Sequence, residues 1–531
     1  MSALALLAQV ETLETPGIAW AALSPFLVLV GGATLLLGAG GLLPRRTKVG
    51  WPALFTVATA LGVIVASVAL WRDLPDSGDR TVVSGAYAVD GFSLFLIVVI
   101  AVGVIIAALL TDGYLRREDL EGPEPYILYL VSGAGGVIMA SATDLIVLFL
   151  GLEVLSIAAY VLAGLHRRRL RSGEAALKYF VLGGFSSAFF LYGIALIYGA
   201  TGTTNMVRIA DFLATNRLTD EGLLLAGIGL MLVGFGFKVA AVPFHTWTPD
   251  VYQGSPTPVV SFMASAVKAA GFAGLLRVIV VTFSTHRLDW QPIIYVLAGA
   301  SLIVGAVLAV VQTDVKRMMA YSSINHAGFM LIAVAAGTID GVTATLFYLA
   351  TYTILIGGTF GVITVLGRKG DGHHSLADYG GLARREPLLA FALIVFLLAQ
   401  AGTPLTSGFL AKFYAINAVV EAGSFWLGLV AMLSAVISAF LYLRIVFTMY
   451  AGGADEVEAT EAEAAEPARR IVVPWAAKVT IALTLVATIG IGIIPDPLTK
   501  VARDATPSLV ADQPDPAATD VPVAPQAPGG P

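Results

Sequence analysis

The chain has 531 residues, of which 57% are hydrophobic and only 13% are charged. Soluble globular proteins carry about 25% charged residues, so a soluble class is excluded and lipid must cover most of the surface. The sequence contains no cysteine, which excludes thiolate-ligated iron–sulfur clusters, disulfides and CxxC redox motifs, so any part in electron transfer is indirect. The net charge of −5 decides little, because the placement of charge matters more than its sum in a membrane protein.

Fourteen apolar segments follow one another along the chain, and most have the length of roughly 20 residues that a bilayer core requires. They predict helices, because every backbone amide in hydrocarbon needs a partner within its own segment and the alternating pattern of barrel strands is missing. We therefore predict an all-α polytopic membrane protein with segments at approximately 18–43, 51–71, 86–111, 126–141, 145–164, 177–200, 222–248, 257–282, 291–311, 317–336, 343–366, 388–420, 424–450 and 473–495.

The distribution of Lys and Arg between the segments predicts the orientation. About 17 of these residues fall in the loops of one side and about 7 in those of the other. The richer side should be cytoplasmic, and both termini should then lie outside, as an even number of helices requires. The first fifteen residues lack the basic region of a signal peptide, so no cleaved leader is predicted.

Four ionisable residues lie near the centre of a predicted span, namely Glu153, Lys238, Lys268 and Lys412. Such a residue at mid-bilayer costs about 2.5–3.5 kcal/mol, and its presence indicates function. A structural ion pair would explain one lysine, but three lysines and one glutamate do not pair off. A buried lysine near a carboxylate can gain and lose a proton around neutral pH, so these residues suit a proton relay.

Two of the lysines lie beside predicted helix breaks. Lys238 is followed by Pro243, and Lys412 is preceded by the Gly402–Pro404 stretch. Proline interrupts a helix, and paired interruptions at membrane depth line cavities and indicate an ion site. The broken segments are the seventh and the twelfth. Because a repeat of five helices must invert its topology, we predict two inverted repeats, helices 4–8 and 9–13.

Other polar residues allow two interpretations each. His326 on the tenth segment is predicted to occupy the place that Glu153 has in the first repeat, as a proton carrier or as a hydrogen-bonded interior histidine. Lys178 is either part of the relay or a snorkelling side chain, and His245 is either a relay group or a polar plug. Asp90 more simply caps the third helix.

The chain therefore divides into six parts. Residues 454–466 are acidic and rich in alanine, and the C-terminal end is rich in Pro, Ala and Asp, so both are predicted to lie outside the membrane without a catalytic role. The predicted parts are three N-terminal helices over 1–125, the first repeat over 126–285, the second repeat over 286–450, an acidic cytoplasmic loop over 451–472, helix 14 over 473–495 and a disordered tail over 496–531.

Several motifs resemble the antiporter-like membrane subunits of respiratory complex I, and most of all their subunit N branch. They are LFLGLEVLSIAAYVLAG, EAALKYFVLGGFSSAFFLYGIALIYGATG, FKVAAVPFHTWTPDVYQGSPTPV, DVKRMMAYSSINHAGF and LARREPLLAFALIVFLLAQAGTPLTSGFLAKFYAI. The resemblance covers about residues 85–450. It implies a proton-translocating subunit of NADH–quinone oxidoreductase in a bacterial plasma membrane. The residues that match ionisable or polar positions of the family's proton pathway are Glu153, Lys238, Lys268, Lys412, His326 and Lys178.

The resemblance also implies the surroundings of the chain. NADH, FMN, iron–sulfur clusters and quinone are expected in other subunits and no cofactor in this one. The expected partners are the paralogous subunit M, the small subunits K, J and A and membrane lipid, with no nucleic acid. The short tail separates the chain from the L type, and Lys412 from the M type, which typically has glutamate there. One departure is Thr403–Leu405 (TPL), where the N branch commonly reads Ile-Pro-Pro.

Two alternative functions remain open on the sequence alone. One is a subunit of a multi-subunit sodium/proton antiporter of the Mrp type, which shares these helices and lysines. The other is a non-transporting scaffold that holds neighbouring membrane subunits together.

Overall fold

A computed structural model describes residues 18–42, 50–74, 79–120, 122–216, 218, 221–451 and 471–506. Most of the predicted acidic loop, residues 507–531 of the predicted tail and the first fifteen residues lie outside these ranges. The predictions for them therefore stay predictions.

The N-terminal part consists of three long helices and one hairpin. Its elements are α1 (Ser24–Leu42), α2 (Trp51–Arg72), β1 (Asp79–Val82), β2 (Tyr87–Asp90) and α3 (Gly91–Arg117). The two strands pair antiparallel, from Asp79 opposite Asp90 to Val82 opposite Tyr87. The predicted third segment is therefore wrong at its start, because its first residues belong to the hairpin. Asp90 ends β2 and caps α3, accepting a hydrogen bond of 2.7 Å from the Ser93 amide, as predicted.

The middle of the chain contains seven helices up to the end of the predicted first repeat. They are α4 (Glu124–Ser141), α5 (Leu145–Ala163), α6 (Leu170–Thr201), the short α7 (Met206–Thr215), α8 (Gly222–Val239), α9 (Trp247–Gly254) and α10 (Thr257–Thr282). Two stretches of α10 are wound as π-helix, Met263–Val267 and Arg277–Thr282. The predicted seventh segment thus corresponds to two helices, α8 and α9.

The rest of the described chain continues with nine helices. They are α11 (Arg287–Val310), α12 (Val315–Ala336), α13 (Ile339–Leu366), α14 (Leu382–Arg385), α15 (Pro387–Ala401), α16 (Ser407–Glu421), α17 (Phe425–Ala451), α18 (Trp475–Ile493) and α19 (Asp496–Asp504). The prediction of disorder from residue 496 onward is wrong for α19. This short helix is stabilised by tertiary contacts, since Ala502 and Ala505 are fully buried and Arg503 pairs with Asp340 on α13 at 2.9 Å.

The prediction of an all-α membrane protein is confirmed. Among the described residues, 12 helices are long and apolar enough to cross a membrane. Two of the predicted segments are not among these 12 helices. One is α4, which is less hydrophobic, and the other is divided into α15 and α16, each of which has 15 residues. The total of fourteen spans stays a prediction.

Three helices form the centre of the molecule. The most apolar windows of α10, α12 and α13 are 94%, 100% and 94% buried, whereas those of α1, α6, α17 and α18 are only 33% buried. The outer helices therefore present apolar surface to lipid. The three central helices are shielded from lipid, so they are the ones that can carry polar side chains at membrane depth.

The same pattern of backbone hydrogen bonds occurs at the starts of two helices, α5 and α12. Leu145 and Met206 exchange backbone hydrogen bonds with Thr204 and Thr143 at 2.9 and 2.8 Å, where α5 begins. The matching bonds at the start of α12 join Val315 to His374 and Leu376 to Thr313, both at 2.7 Å. Asp144 and Asp314 cap the two helices.

These matched bridges give a register between the two halves. Counted from Asp144 and Asp314, His326 corresponds to Ser156 and Glu153 corresponds to Ser323. The predicted correspondence of His326 with Glu153 is therefore one helical turn off. The two inverted repeats as such stay a prediction.

Candidate functional site

The break between α8 and α9 places Lys238 at the end of a helix inside the protein. Ala240 adopts a left-handed backbone with φ of 62°, and its successor Ala241 donates a 2.7 Å hydrogen bond back to the Gly236 carbonyl. Trp247, the first residue of α9, donates its indole N–H to the Phe237 carbonyl at 3.1 Å. Carbonyls that the broken helix leaves free are thus paired, and the predicted break is confirmed.

Lys238 is 4% exposed and contacts a hydroxyl rather than a carboxylate. Its Nζ donates to Ser156 Oγ at 2.7 Å, and Ser156 Oγ donates to the Leu152 carbonyl. Glu153 lies on α5 with Ser156, but among the described residues its buried Oε1 has no hydrogen-bond partner. Glu153 and Lys238 are therefore separated here, with the Ser156 hydroxyl holding the lysine.

A small cavity adjoins Lys238. Its volume is about 10 Å³, which is about the size needed for a single water molecule. Its lining combines hydroxyls with apolar side chains, namely Leu152, Ser156, Tyr160, Gly183, Ser186, Ser187, Phe190, Gly234, Phe237 and Lys238. One water there would extend the hydrogen-bonding reach of the ammonium group toward α6.

Lys268 follows the first π-helical stretch of α10 and is 2% exposed. Its Nζ donates to both the carbonyl and the hydroxyl oxygen of Ser323 on α12, at 2.7 and 2.6 Å. The Tyr352 ring lies 5.6 Å from the same Nζ. A π-helical turn contains an extra residue and is frequent at functional sites, and here it directly precedes the lysine.

Lys238 and Lys268 belong to neighbouring helices in direct contact. A Cβ atom at Gly271 would lie 3.1 Å from Cγ of Lys238, so the stem of Lys238 crosses α10 at this glycine. Gly271 is three residues after Lys268, which is about one helical turn. The two buried lysines are therefore close neighbours on adjacent helices.

His326 is held between two tyrosine hydroxyls on other helices. The distances are 2.6 Å from Nδ1 to Tyr348 Oη on α13 and 3.1 Å from Nε2 to Tyr442 Oη on α17. Tyr442 Oη also lies 2.6 Å from Ser322 Oγ. The Tyr352 ring is 4.9 Å from the His326 ring, so this tyrosine stands between His326 and Lys268.

The second predicted break, between α15 and α16, is also confirmed. Gly402 has a φ of 97°, and the 5%-exposed Lys412 reaches back across the break to donate to the Ala401 carbonyl at 3.0 Å. Its Nζ also lies 4.9 Å from the centre of the Phe329 ring on α12. The Ala401 carbonyl at the end of α15 thus accepts the hydrogen bond of the Lys412 ammonium group, as a carboxylate would in an ion pair.

Several buried polar atoms have no hydrogen-bond partner among the described residues. Such an atom costs about 1–3 kcal/mol if it stays unpaired, and buried polar groups are normally satisfied by protein or by ordered water. Their positions therefore indicate hydration sites inside the protein. They include Tyr179 Oη, Thr248 Oγ1, Ser255 Oγ, Ser261 Oγ, Tyr352 Oη and Ser407 Oγ.

Lys178 and His245 are both more exposed than Lys238, Lys268 and Lys412. The Lys178 side chain is 41% exposed and pairs with Glu174 and Asp250, both at 2.7 Å. Arg317 contacts the other oxygen of Asp250 at 2.6 Å, beside an open cavity of about 180 Å³ that Lys178 also lines. His245 is half-buried within the break between α8 and α9, and its Nδ1 has no hydrogen-bond partner in the part of the chain that the structure describes.

Sequence reasoning missed a buried ion pair that involves Asp90. Arg277 donates to both carboxylate oxygens of Asp90, at 2.9 and 3.0 Å, and also to the Ala140 carbonyl. Both side chains are 3% exposed. The signal was available, because Arg277 is a charged residue inside the predicted segment 257–282.

A second buried cluster surrounds Asp371, in the loop after α13. Its carboxylate lies 2.8 Å from His374, 3.2 Å from Arg169 and 3.4 Å from Lys316, and it accepts a 2.8 Å hydrogen bond from Thr257. Burial alone would raise the pKa of the Asp371 carboxyl, but Lys316, His374 and Arg169 together hold it well below its usual range. These loop and helix-end residues carry no sequence pattern that predicts their meeting.

Comparison with known proteins assigns the family. Residues 142–438 match the family described as NADH:quinone oxidoreductase/Mrp antiporter, TM. The NADH-quinone oxidoreductase subunit N of Trichlorobacter lovleyi is 42% identical over 424 residues, which cover 80% of this chain and 85% of the relative. The chain belongs to the NADH-quinone oxidoreductase subunit N family.

Solved structures agree with this family. A chain of respiratory complex I from Thermus thermophilus is 32% identical, with a TM-score of 0.73 over 90% of this chain and 99% of that one. A chain of the Mrp complex from Dietzia sp. DQ12-45-1b superimposes with a TM-score of 0.80, covering 93% of this chain and 98% of that one, but is only 22% identical. The second likeness concerns the fold alone. Within the part of the chain that the structure describes, no group of three or more His, Asp or Glu residues could hold a metal ion.

Proposed function

We propose that this chain is the proton-translocating membrane subunit N of an NADH–quinone oxidoreductase. One observation supports this function most directly. Lys238, Lys268 and Lys412 are each almost fully buried, and each donates to a neutral oxygen, of Ser156, Ser323 and Ala401 respectively. A structural ion pair would set a carboxylate against the ammonium group. A lysine held only by neutral oxygens is free to give up its proton to a neighbouring carrier.

The proposed path follows the order of these groups. Lys238 receives a proton from the side of α6 and α9, Lys268 takes it through hydroxyls and water beside α10, and His326 accepts it near Tyr352. Lys412 then releases it beyond the break between α15 and α16. Each step moves one proton along hydrogen bonds, so no other bond is made or broken. We assign Lys178 and His245 to the entry, and the open cavity that Lys178 lines supports this for Lys178.

Glu153 is proposed as the switch that couples this path to the rest of the complex. Within the described ranges its Oε1 has no hydrogen-bond partner, so no competing hydrogen bond holds this oxygen there. When its charge approaches Lys238 it favours the protonated lysine, and when it withdraws the proton leaves. Moving one charge against the membrane potential takes about 2.3 kcal/mol per 100 mV. A change of one pKa unit corresponds to about 1.4 kcal/mol, so changes of a few units can supply this energy.

The surroundings of the subunit form part of the same proposal. NADH, FMN, iron–sulfur clusters and quinone belong to other subunits, and the direct neighbours are the paralogous subunit M and the small subunits K, J and A. The membrane is a bacterial plasma membrane, with both termini outside. The two matching bridges at the starts of α5 and α12 support two inverted repeats, because equivalent turns then recur five spans apart on opposite faces.

Purification in mild detergent tests this assignment. We expect the chain to copurify with flavin and iron–sulfur proteins, in a preparation that oxidises NADH with quinone as the acceptor. Copurification with small hydrophobic subunits alone, without redox centres, would replace the proposal by the sodium/proton antiporter.

A further inference from the structure

An apolar cavity lies between α2, α3, α13 and α19, and the described residues that line it include none of the three buried lysines. Its volume is about 580 Å³, within the range of roughly 300–1,000 Å³ that ligand pockets have. The lining is apolar along nearly its whole length, and Arg72 is the only charged residue among the described residues that form it. The lining residues are Ser67, Val68, Trp71, Arg72, Leu94, Phe95, Val98, Val99, Val102, Ala350, Thr353, Ile354, Pro497, Leu498 and Val501.

The position of this cavity relates it to one leaflet of the bilayer. Along α3 it extends from Leu94, near the start of the helix, to Val102, a distance of about 12 Å at 1.5 Å per residue. The hydrocarbon core is about 30 Å thick, so the cavity reaches from one surface to near the middle. Its length is therefore that of an acyl chain in a single leaflet.

The end of the cavity nearest the predicted membrane surface carries Arg72. α19 forms this end, and it is fixed by a Thr506–Thr343 hydroxyl contact of 3.0 Å and by the Arg503–Asp340 pair. Trp71 and Arg72 are the last two residues of α2, and both line this end of the cavity. Tryptophan favours the membrane–water interface, so the guanidinium group of Arg72 lies at the level of lipid headgroups.

The electrostatics of this end favour a phosphate. Arg72 is exposed, and among the described residues no carboxylate forms an ion pair with it. Arginine recognises phosphate oxygens through two parallel N–H groups. Two exposed carboxylates lie next to lining residues in the sequence, Asp73 after Arg72 and Asp496 before Pro497. Because they repel further negative charge, a headgroup with a single negative phosphate fits better than one with several.

We propose that this cavity is a binding site for one membrane phospholipid, with an acyl chain between α2, α3 and α13 and the phosphate on Arg72. An empty apolar cavity of this size at membrane depth would leave its walls without contacts, and the surrounding bilayer supplies an occupant of matching length and polarity. Ala350 and Thr353 lie beside Tyr352 on α13, so the bound chain would brace the helix that carries this tyrosine. The site itself does not depend on the proposed proton path.

The test uses the purified complex in nanodiscs and two probes with the same photoactivatable diazirine acyl chain. Phosphatidylglycerol carries the phosphate, whereas diacylglycerol lacks it. Cross-linked peptides are then located by mass spectrometry. We expect phosphatidylglycerol to label the peptides of α2, α3 and α19 about fivefold more than diacylglycerol, which is the contribution of one basic residue at a membrane surface.

Two variants and two matched controls complete the experiment. Arg72→Gln should lower labelling by phosphatidylglycerol to the diacylglycerol level, and Val68→Trp, from the 43%-exposed wall, should block both probes. Arg80→Gln and Val65→Trp change an arginine and a valine outside the lining, and should label like the parent. Equal labelling by both probes, unchanged in Arg72→Gln, would overturn phosphate recognition. No labelling of the cavity by either probe would mean that a neighbouring subunit fills it, and would also overturn the proposal.

Discussion

His326 is the residue whose surroundings most clearly distinguish a carrier from a packing group. Two tyrosine hydroxyls from different helices contact its two ring nitrogens, and a tyrosine hydroxyl can both donate and accept. Each nitrogen can therefore hold or release a proton without losing its partner. The neutral and the protonated ring are both satisfied in the same geometry, which is what a relay requires.

Removing one of these hydroxyls should slow the relay more than it destabilises the protein. In Tyr442→Phe the hydroxyl that joins His326 to Ser322 is lost, and we expect a fall in NADH-driven proton flux with a loss of stability of only about 0.5–1.5 kcal/mol. Flux into vesicles and thermal melting of the same complex measure the two effects. Tyr450→Phe, at a 59%-exposed tyrosine of the same helix, is the control and should leave flux unchanged. Equal flux in the two variants would remove Tyr442 from the path.

The charged members of the site could be predicted from the sequence, and the neutral ones could not. A lysine in a span is costly in lipid, so Lys238, Lys268 and Lys412 stand out from any sequence. Serine and threonine cost little free energy in a membrane span, because the hydroxyl can donate to the carbonyl one turn back, as Thr351 does to Phe347 at 2.9 Å. Ser323 is of the same class, yet it accepts from Lys268. Only the packing of α10 against α12 separates the two roles.

Among the elements, the break between α15 and α16 sets the position of Lys412. Gly402 has a φ of 97°, and a Cβ atom there would lie 3.3 Å from Cδ of Lys412. A side chain at this residue would therefore strain the backbone and push on the lysine. Gly423 has a similar φ of 83°, but no atom lies within 4 Å of its Cβ position.

A comparison of Gly402 with Gly423 distinguishes backbone strain from an effect on the position of Lys412. We expect Gly402→Ala and Gly423→Ala to lower the free energy of unfolding by a similar amount, about 1–2 kcal/mol for an L-residue in the left-handed region. Only Gly402→Ala should also lower proton flux, because only there does the new methyl group meet Lys412. If both variants lost flux equally, the break would act through general stability rather than through the lysine.

The buried cluster around Asp371 ties elements of both halves together. It joins the loop after α5 through Arg169, the start of α10 through Thr257 and the start of α12 through Lys316. In Asp371→Asn these cations lose their counter-charge while staying buried, and we expect a loss of about 3–5 kcal/mol. Asp119→Asn breaks the exposed pair with Lys369 and should cost at most about 1 kcal/mol. Thermal melting of the two complexes compares them directly.

The pH dependence of this loss has a defined sign. Because the folded-state pKa of Asp371 is depressed, its stabilisation is present above the unfolded value of about 3.9 and is lost only as pH falls through the folded value. The difference between parent and Asp371→Asn should therefore not shrink between about pH 8 and pH 5, and protonation of His374, which lies 2.8 Å from Asp371, can only enlarge it toward the acid end. A difference that already shrinks over this range would show that the carboxyl is not held ionised by its neighbours.

Elements were predictable where a residue type forces the backbone. Pro243 and Pro404 lie in the two interruptions, and both breaks were placed correctly from the sequence. The π-helical stretch before Lys268 has no such residue, because Met263–Val267 reads like any apolar helix. The composition of α19 predicts disordered chain, because the stability of this helix comes from its packing on α3 and α13.

For the whole molecule, the arrangement assigns separate places to lipid contact and to proton transfer. The outer helices face the membrane with apolar side chains, while α10 and α12 contribute Lys268, Ser323 and His326 inside a shielded centre. Lys238 and Lys412 reach this centre from the two broken helices. A scaffold would need neither the breaks nor the buried lysines, so the cost of keeping them indicates transport.

The most direct test measures proton translocation in assembled complexes with Lys238→Met or Lys412→Met. Lys478→Met, at an exposed lysine of α18, is the matched control. For equal amounts of assembled complex in vesicles, we predict that each of the first two variants lowers NADH-driven proton flux by about tenfold or more, as loss of a proton-transfer group does, while Lys478→Met pumps like the parent. Normal flux at the normal proton-to-electron ratio in both Lys238→Met and Lys412→Met would contradict the relay and leave the scaffold.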